Sequence, residues 1–141
     1  MNSTYWRSEK GAAVVEFAVV AVLFLIVVFG IIELGILMFD KHILTNASRE
    51  GARAGVVMRV PRVSDQEIID IVKKYAKDHM ISLGPSSELV IKPVTPPEPR
   101  TGNLFDKVLV VHVTYPFKFL FLSNLGFGPI TLEAETHMRM E

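Results

Sequence analysis

The 141 residues carry 15 basic and 15 acidic side chains, so the formal net charge is zero, and there is no cysteine. A neutral balance removes the electrostatic footprint expected of a protein that coats nucleic acid, and the missing thiols exclude disulfides, thiolate nucleophiles and thiolate metal sites. This length supports one small core beyond any membrane segment, and the apolar excess is concentrated between Ala12 and Phe39.

From Ala12 to Ile32 the chain reads AAVVEFAVVAVLFLIVVFGII, interrupted only by Glu16. About 21 residues at ~1.5 Å each span a hydrocarbon core of about 30 Å. The leader carries Arg7 and Lys10 against Glu9, whereas the first charges after the run are Glu33 and Asp40. The positive-inside rule therefore puts the N-terminus in the cytoplasm and the remainder of the chain outside it. A cleavable secretory signal is the rival, but its apolar region runs about 7 to 15 residues and ends at small residues. Here the run continues past Glu33-Leu34-Gly35 into Ile36–Phe39. Glu33, near the outer boundary, is read as snorkelling to the interface.

Glu16 lies one turn inside the apolar segment, where an ionised carboxylate is costly without a cation or a path to water. The residues around it, Lys10-Gly11-Ala12-Ala13-Val14-Val15-Glu16-Phe17, resemble the prepilin processing site of type IV pilin-like proteins. The resemblance implies cleavage by a membrane peptidase between Gly11 and Ala12, with Glu16 becoming the fifth residue of the mature chain. It also implies that Glu16 neutralises the Ala12 α-amine of a neighbouring subunit, so that neither charge stays unpaired in an apolar filament core. Glycine suits the cut because its bare backbone can be approached closely.

Asp40 to Gly55 holds no proline and is compatible with a helix continuing to about Val57. Within it Ala47, Gly51 and Gly55 recur at four-residue steps on one face. Such a small-residue stripe fits either a contact with another subunit or packing against the chain's own C-terminal sheet. Arg49 and Arg53 share a face, with Arg59 and Arg62 following in the linker; they read as solvated charges or as contacts for lipid phosphates and acidic neighbours. Asn46-Ala47-Ser48 matches the glycosylation acceptor pattern but is read as helix surface. The segments Phe29-Gly30-Ile31-Ile32-Glu33-Leu34-Gly35 and Asn46-Ala47-Ser48-Arg49-Glu50-Gly51-Ala52-Arg53 resemble the TadE-like family of minor pseudopilins, which belong to tight-adherence (Flp) pilus machines. This resemblance covers roughly the first third of the chain. It implies a pilin-like α+β fold and a single-pass subunit of a bacterial inner membrane that serves pilus assembly and enters, or initiates, a surface pilus. The partners it implies are a prepilin peptidase, other pilin-like subunits, the assembly platform with its cytoplasmic ATPase, and the lipid bilayer.

Beyond Pro61, Ser64-Asp65-Gln66-Glu67 predicts a capping box. Ile68, Ile71, Val72, Tyr75 and Met80 then recur at roughly helical spacing as far as a stop at Gly84-Pro85. Leu89–Val94 reads as a short strand, Pro93–Pro99 as an extended loop, and Lys107–Tyr115 as a central strand. From Ile130 to Glu141 apolar and polar residues alternate, the pattern of a half-buried antiparallel strand. The order predicts a roughly three-stranded antiparallel sheet laid against the extramembrane helix. The apolar segment Phe117–Leu122 with Leu125 and Phe127 reads either as core or as a partner or bilayer surface.

The expected layout is a leader at 1–11, a transmembrane helix at 12–39, its extension at 40–60, and a small extracytoplasmic domain at 61–141. His42, His79, His112 and His137 are widely separated, and no phosphate loop or nucleophile elbow occurs. The sequence therefore predicts no enzyme, no catalytic residue, no cofactor or metal, no small-molecule substrate and no nucleic-acid partner. Two rivals to a minor pilin-like subunit keep parts of this reading. An uncleaved single-pass anchor with a binding domain outside would tolerate changes at Gly11 and Glu16. A secretion-system pseudopilin of another branch would keep the cleavage and change the partners.

Overall fold

Helix formers without a proline run from the leader to Val56, and the structure turns them into one helix. The computed structural model describes residues 5–81, 89–92 and 107–140, the stretch 5–10 by its backbone alone. Helix α1 covers Tyr5–Val56, 52 residues, which at ~1.5 Å per residue is about 78 Å of rod. A linker containing Pro61 separates it from α2, Asp65–His79. Three strands follow: β1 Val90–Ile91, β2 Val108–Phe117 and β3 Ile130–Arg139, with a 3-10 turn at Leu122–Leu125 between the last two. The sheet order is β1-β2-β3, and both pairings are antiparallel. The α+β layout expected from the sequence is therefore present.

Local chemistry explains the element ends. Ser64 Oγ accepts the Glu67 amide at 3.1 Å while the Glu67 carboxylate accepts the Ser64 amide at 2.9 Å, a complete capping box. At the other end of α2 the Met80 amide closes on the Ala76 carbonyl, and the expected stop at Gly84-Pro85 lies outside the described residues. β2 runs two residues beyond its expected end. Pro116 cannot donate to a ladder, but it lies past the Val90–Thr114 pair that marks the limit of β1, so no described β1 neighbour requires its missing N–H. β1 itself is shorter than Leu89–Val94; Val94 and the proline-rich stretch Pro93–Pro99 fall outside the described residues.

The core lies between the sheet and the second half of α1. Alternate residues of β2, from Leu109 to Phe117, are buried, as are Leu132, Ala134 and Thr136 of β3. They meet Leu37, Leu44, Ala47 and Ala52 of α1, while Ile68, Val72 and Ala76 of α2 close the side. One polar contact sits within this apolar layer: Ser48 Oγ lies 2.6 Å from Thr136 Oγ1 and also donates to the Thr45 carbonyl at 2.9 Å. Ser48 is fully buried, so the Asn46-Ala47-Ser48 tripeptide is only in part a helix surface. With Asn46 exposed, its third residue is held inside by this pair.

Candidate functional site

The first half of α1 carries the proposed processing segment on a bare rod. The Gly11–Ala12 bond lies inside the helix, and a Cβ added at Gly11 would meet no atom within 4 Å. Ala12 and Glu16 are exposed, and they stand four residues apart on one helix face. Glu16 makes no hydrogen bond or ion pair among the described residues. Around it Phe17 is 73% exposed, and Val20, Leu23 and Phe24 are exposed as well. In total 26 large hydrophobic side chains are exposed among the described residues, and 13 of these lie from Val14 to Ile32. Leaving such a surface in water is unfavourable by about 25 cal/mol per Å2, so this half of the helix needs lipid or other helices around it. By length and composition α1 is able to cross a membrane.

The small-residue stripe of the second half is occupied from within. Ala47 is fully buried, a Cβ at Gly51 would collide with Val72 Cγ2, and one at Gly55 would lie 2.5 Å from Leu109 Cδ2. These positions are the seats on which α2 and β2 rest against α1. Arg49 and Arg53 are exposed on the same helix, and Arg59 pairs with Glu67 at 2.8 Å on the surface.

Glu33 departs from its expected snorkelling. It is only 5% exposed, and its carboxylate accepts three backbone amides from the β2–β3 connection. Leu120 and Phe121 donate to Oε1, the latter at 3.0 Å, and Leu122 donates to Oε2 at 2.9 Å. The Phe29 and Phe121 rings meet at a tilt of 36° beside this clamp with centroids 5.0 Å apart. A carboxylate buried in this way is satisfied by charge-assisted bonds and does not have to reach water. The partners lie 87 to 89 residues away in the chain. No local pattern announces them, and the only sequence signal was an acid embedded in an apolar run.

The apolar segment after β2 divides between the two readings open to it. Phe117 and Phe119 are buried and meet edge to face at 5.4 Å, whereas Leu120, Leu125 and Phe127 are exposed. Asp40, one turn beyond Leu37, is fully buried. Its Oδ1 accepts the Ile81 amide at 2.9 Å, and Oδ2 has no partner among the described residues. Burial pushes this carboxyl above the ordinary aspartate range, with the Ile81 amide opposing the shift.

The histidines serve local contacts. His79 stacks on Tyr75 and His137 lies 2.8 Å from Glu135. No group of three or more His, Asp or Glu side chains able to hold a metal occurs among the described residues. An open hollow at the α1–α2 end is lined by Ala54, Val57, Val63 and Ile71 with Arg59, Glu67 and Asp70 at its edge; it presents no nucleophile with an adjacent base.

No curated protein and no solved structure matches the chain. Residues 11–53 match the family described as TadE-like protein. The match opens at Gly11, takes in Glu16 and Glu33, and runs along α1 to Arg53, through most of the buried half of the helix. Over this stretch the chain is similar to the TadE-like family, which belongs to the tight-adherence pilus system.

Proposed function

We propose that the protein is a minor pilin-like subunit, a pseudopilin, for assembly of a tight-adherence type IV pilus. It waits in the bacterial inner membrane with its N-terminus in the cytoplasm, is cut by a prepilin peptidase between Gly11 and Ala12, and is then drawn into contact with other pilin-like subunits by the assembly platform. The observation that carries this reading is the TadE-like match from Gly11 to Arg53 along a helix whose first half is exposed and apolar around a solitary Glu16.

The mechanism follows from the two halves of α1. Lipid tails are as apolar as Val and Leu, so trading lipid for neighbouring helices yields little net driving force, and packing sets the geometry. Glu16 supplies register. Cleavage creates an α-amine at Ala12, and a subunit staggered so that this amine meets a neighbour's Glu16 leaves neither charge bare. The domain folded against residues 33–56 is carried outside, and extraction is driven by the cytoplasmic ATPase of the platform.

One observation favours the second reading, an uncleaved single-pass anchor with an outer interaction domain. Helix α1 runs without interruption through the Gly11–Ala12 bond, and a peptidase needs that bond opened out of its helical turn. Intact mass and N-terminal sequencing of the protein from native membranes, beside a Gly11→Ala variant, separate the two. A chain beginning at Ala12, lost in the variant, is the expected result. A chain that keeps its leader in membranes containing active peptidase leaves the anchor as the better account.

A further inference from the structure

We propose that the β2–β3 connection, residues 118–129, is a lipid-docking foot that rests in the membrane interface where α1 leaves the bilayer, held at that depth by Glu33. This rests on the reading of residues 12–32 as the membrane span.

The position of the foot along the rod carries the first part of the case. Counted from Ala12, about 21 residues at ~1.5 Å fill a hydrocarbon core of about 30 Å and end at Ile32. The connection touches α1 at this boundary. The Phe121 ring packs tilted against Phe29, Leu122 Cδ2 would lie 3.9 Å from a Cβ at Gly30, and the Glu33 carboxylate takes the amides of Leu120, Phe121 and Leu122. A bilayer reaching further, to Phe39, would put the foot still deeper. The side chains facing away from the helix are apolar, with Leu120, Leu125 and Phe127 each about half exposed or more. Ile31 and Ile32, beside the Phe29, Gly30 and Glu33 contacts on α1, are exposed as well.

The backbone carries the second, independent part. A loop entering a low-dielectric layer must satisfy its own amides, and at least six amides of this one have partners within the chain. Beyond the three amides on Glu33, Asn124 donates to the Phe121 carbonyl, Gly126 to Ser123 and Phe127 to Leu122, at 3.1 to 3.2 Å. Gly126 closes the turn at φ 93°, a conformation suited to glycine. Two polar side chains bond back onto the same turn, Ser123 Oγ and Asn124 Nδ2 both reaching the Leu120 carbonyl. Lys118, exposed at the end of β2, is placed to reach lipid phosphates from the edge of the foot. The loop presents methyl and phenyl groups over a turn bonded largely to itself and to Glu33, at the end of the apolar span, which suits lipid.

Because the chain has no cysteine, single reporters are clean. Full-length Leu125→Cys, Phe127→Cys, Val20→Cys and Lys74→Cys variants would carry an environment-sensitive fluorophore in nanodiscs of phosphatidylcholine and phosphatidylglycerol, with nitroxide-labelled lipid as quencher. The expected result is a blue-shifted emission at 125 and 127, quenched severalfold more strongly than at 74, with 20 quenched as well. Water-like emission at 125 and 127 with strong quenching at 20 would overturn the foot and leave the anchor standing. Unquenched emission at 20 would remove the anchor and the foot together. Adding Glu33→Gln to Phe127→Cys is expected to weaken the quenching at 127, because an amide side chain cannot accept all three backbone bonds; unchanged quenching would overturn the role given to Glu33.

Discussion

Residues 12–32 and 33–56 of α1 share one unbroken set of helical hydrogen bonds, and their surroundings are opposite. In the first half, 13 large hydrophobic side chains from Val14 to Ile32 lie exposed, and the only acid, Glu16, has no partner among the described residues. In the second half the exposed residues alternate with a buried line through Glu33, Leu37, Asp40, Leu44, Ala47, Gly51 and Gly55, spaced three or four apart, and both acids of that line are held by backbone amides. The contrast shows how one helix serves two solvents. The first half is apolar on every side, which suits lipid or neighbouring helices around it, whereas the second is narrow and small-sided because a sheet and a helix from the same chain come close.

The largest expected break in this comparison is Leu44→Ala. Leu44 is fully buried against the sheet, and its truncation is expected to cost about 2–5 kcal/mol of domain stability, measured by thermal or denaturant unfolding of the detergent-solubilised chain. The two glutamates sharpen the contrast next. Glu33→Ala strips three amides of their acceptor and is expected to cost about 2–3 kcal/mol, with faster hydrogen exchange at Leu120, Phe121 and Leu122. Glu16→Ala is expected to leave the unfolding midpoint of the domain unchanged and to act on assembly alone.

Ser64→Ala, which removes one side of the capping box on α2, is expected to lower stability by about 1 kcal/mol. A pH effect tests the buried half separately. Asp40 has its pKa raised in the folded state by burial, so the folded protein binds more protons than the unfolded chain between the two values. Its contribution is therefore most favourable below the ordinary aspartate pKa and is lost as the pH rises through the raised folded value. Asp40→Asn is expected to flatten that decline in a series of unfolding midpoints against pH. The smallest effect is expected for Val20→Ala in the exposed half, within about 0.5 kcal/mol of the parent domain stability.

Periodicity and local chemistry made much of the architecture readable. The apolar run of α1 and the alternation of Ile130–Met140 follow from backbone geometry, and the box at Ser64–Glu67 follows from the orphan amides of a helix start, so each is visible within one segment. The end of α1 near Val57 and the extent of β2 were also close, with Pro116 tolerated because no described part of β1 lies opposite it. The stripe of Ala47, Gly51 and Gly55 showed that something approaches closely without showing what. The choice between α2 with β2 and a second subunit depends on where distant segments fold.

By itself, then, the sequence determined the helical rod, its apolar half and the strands, because each is written in spacing or residue type along a single element. The tertiary structure alone decided the fates of Glu33, Ser48 and Asp40. Glu33 did not have to reach water once Leu120–Leu122 turned their amides toward it, Ser48 left the surface for Thr136 on β3, and Asp40 was buried on the Ile81 amide. It also divided the aromatic segment, sending Phe117 and Phe119 inward and Leu125 and Phe127 outward. The physical reason is common to all of them: whether a polar or apolar group is paired, buried or bare depends on partners 40 to 90 residues away, and chain closure over that distance leaves no local pattern to read.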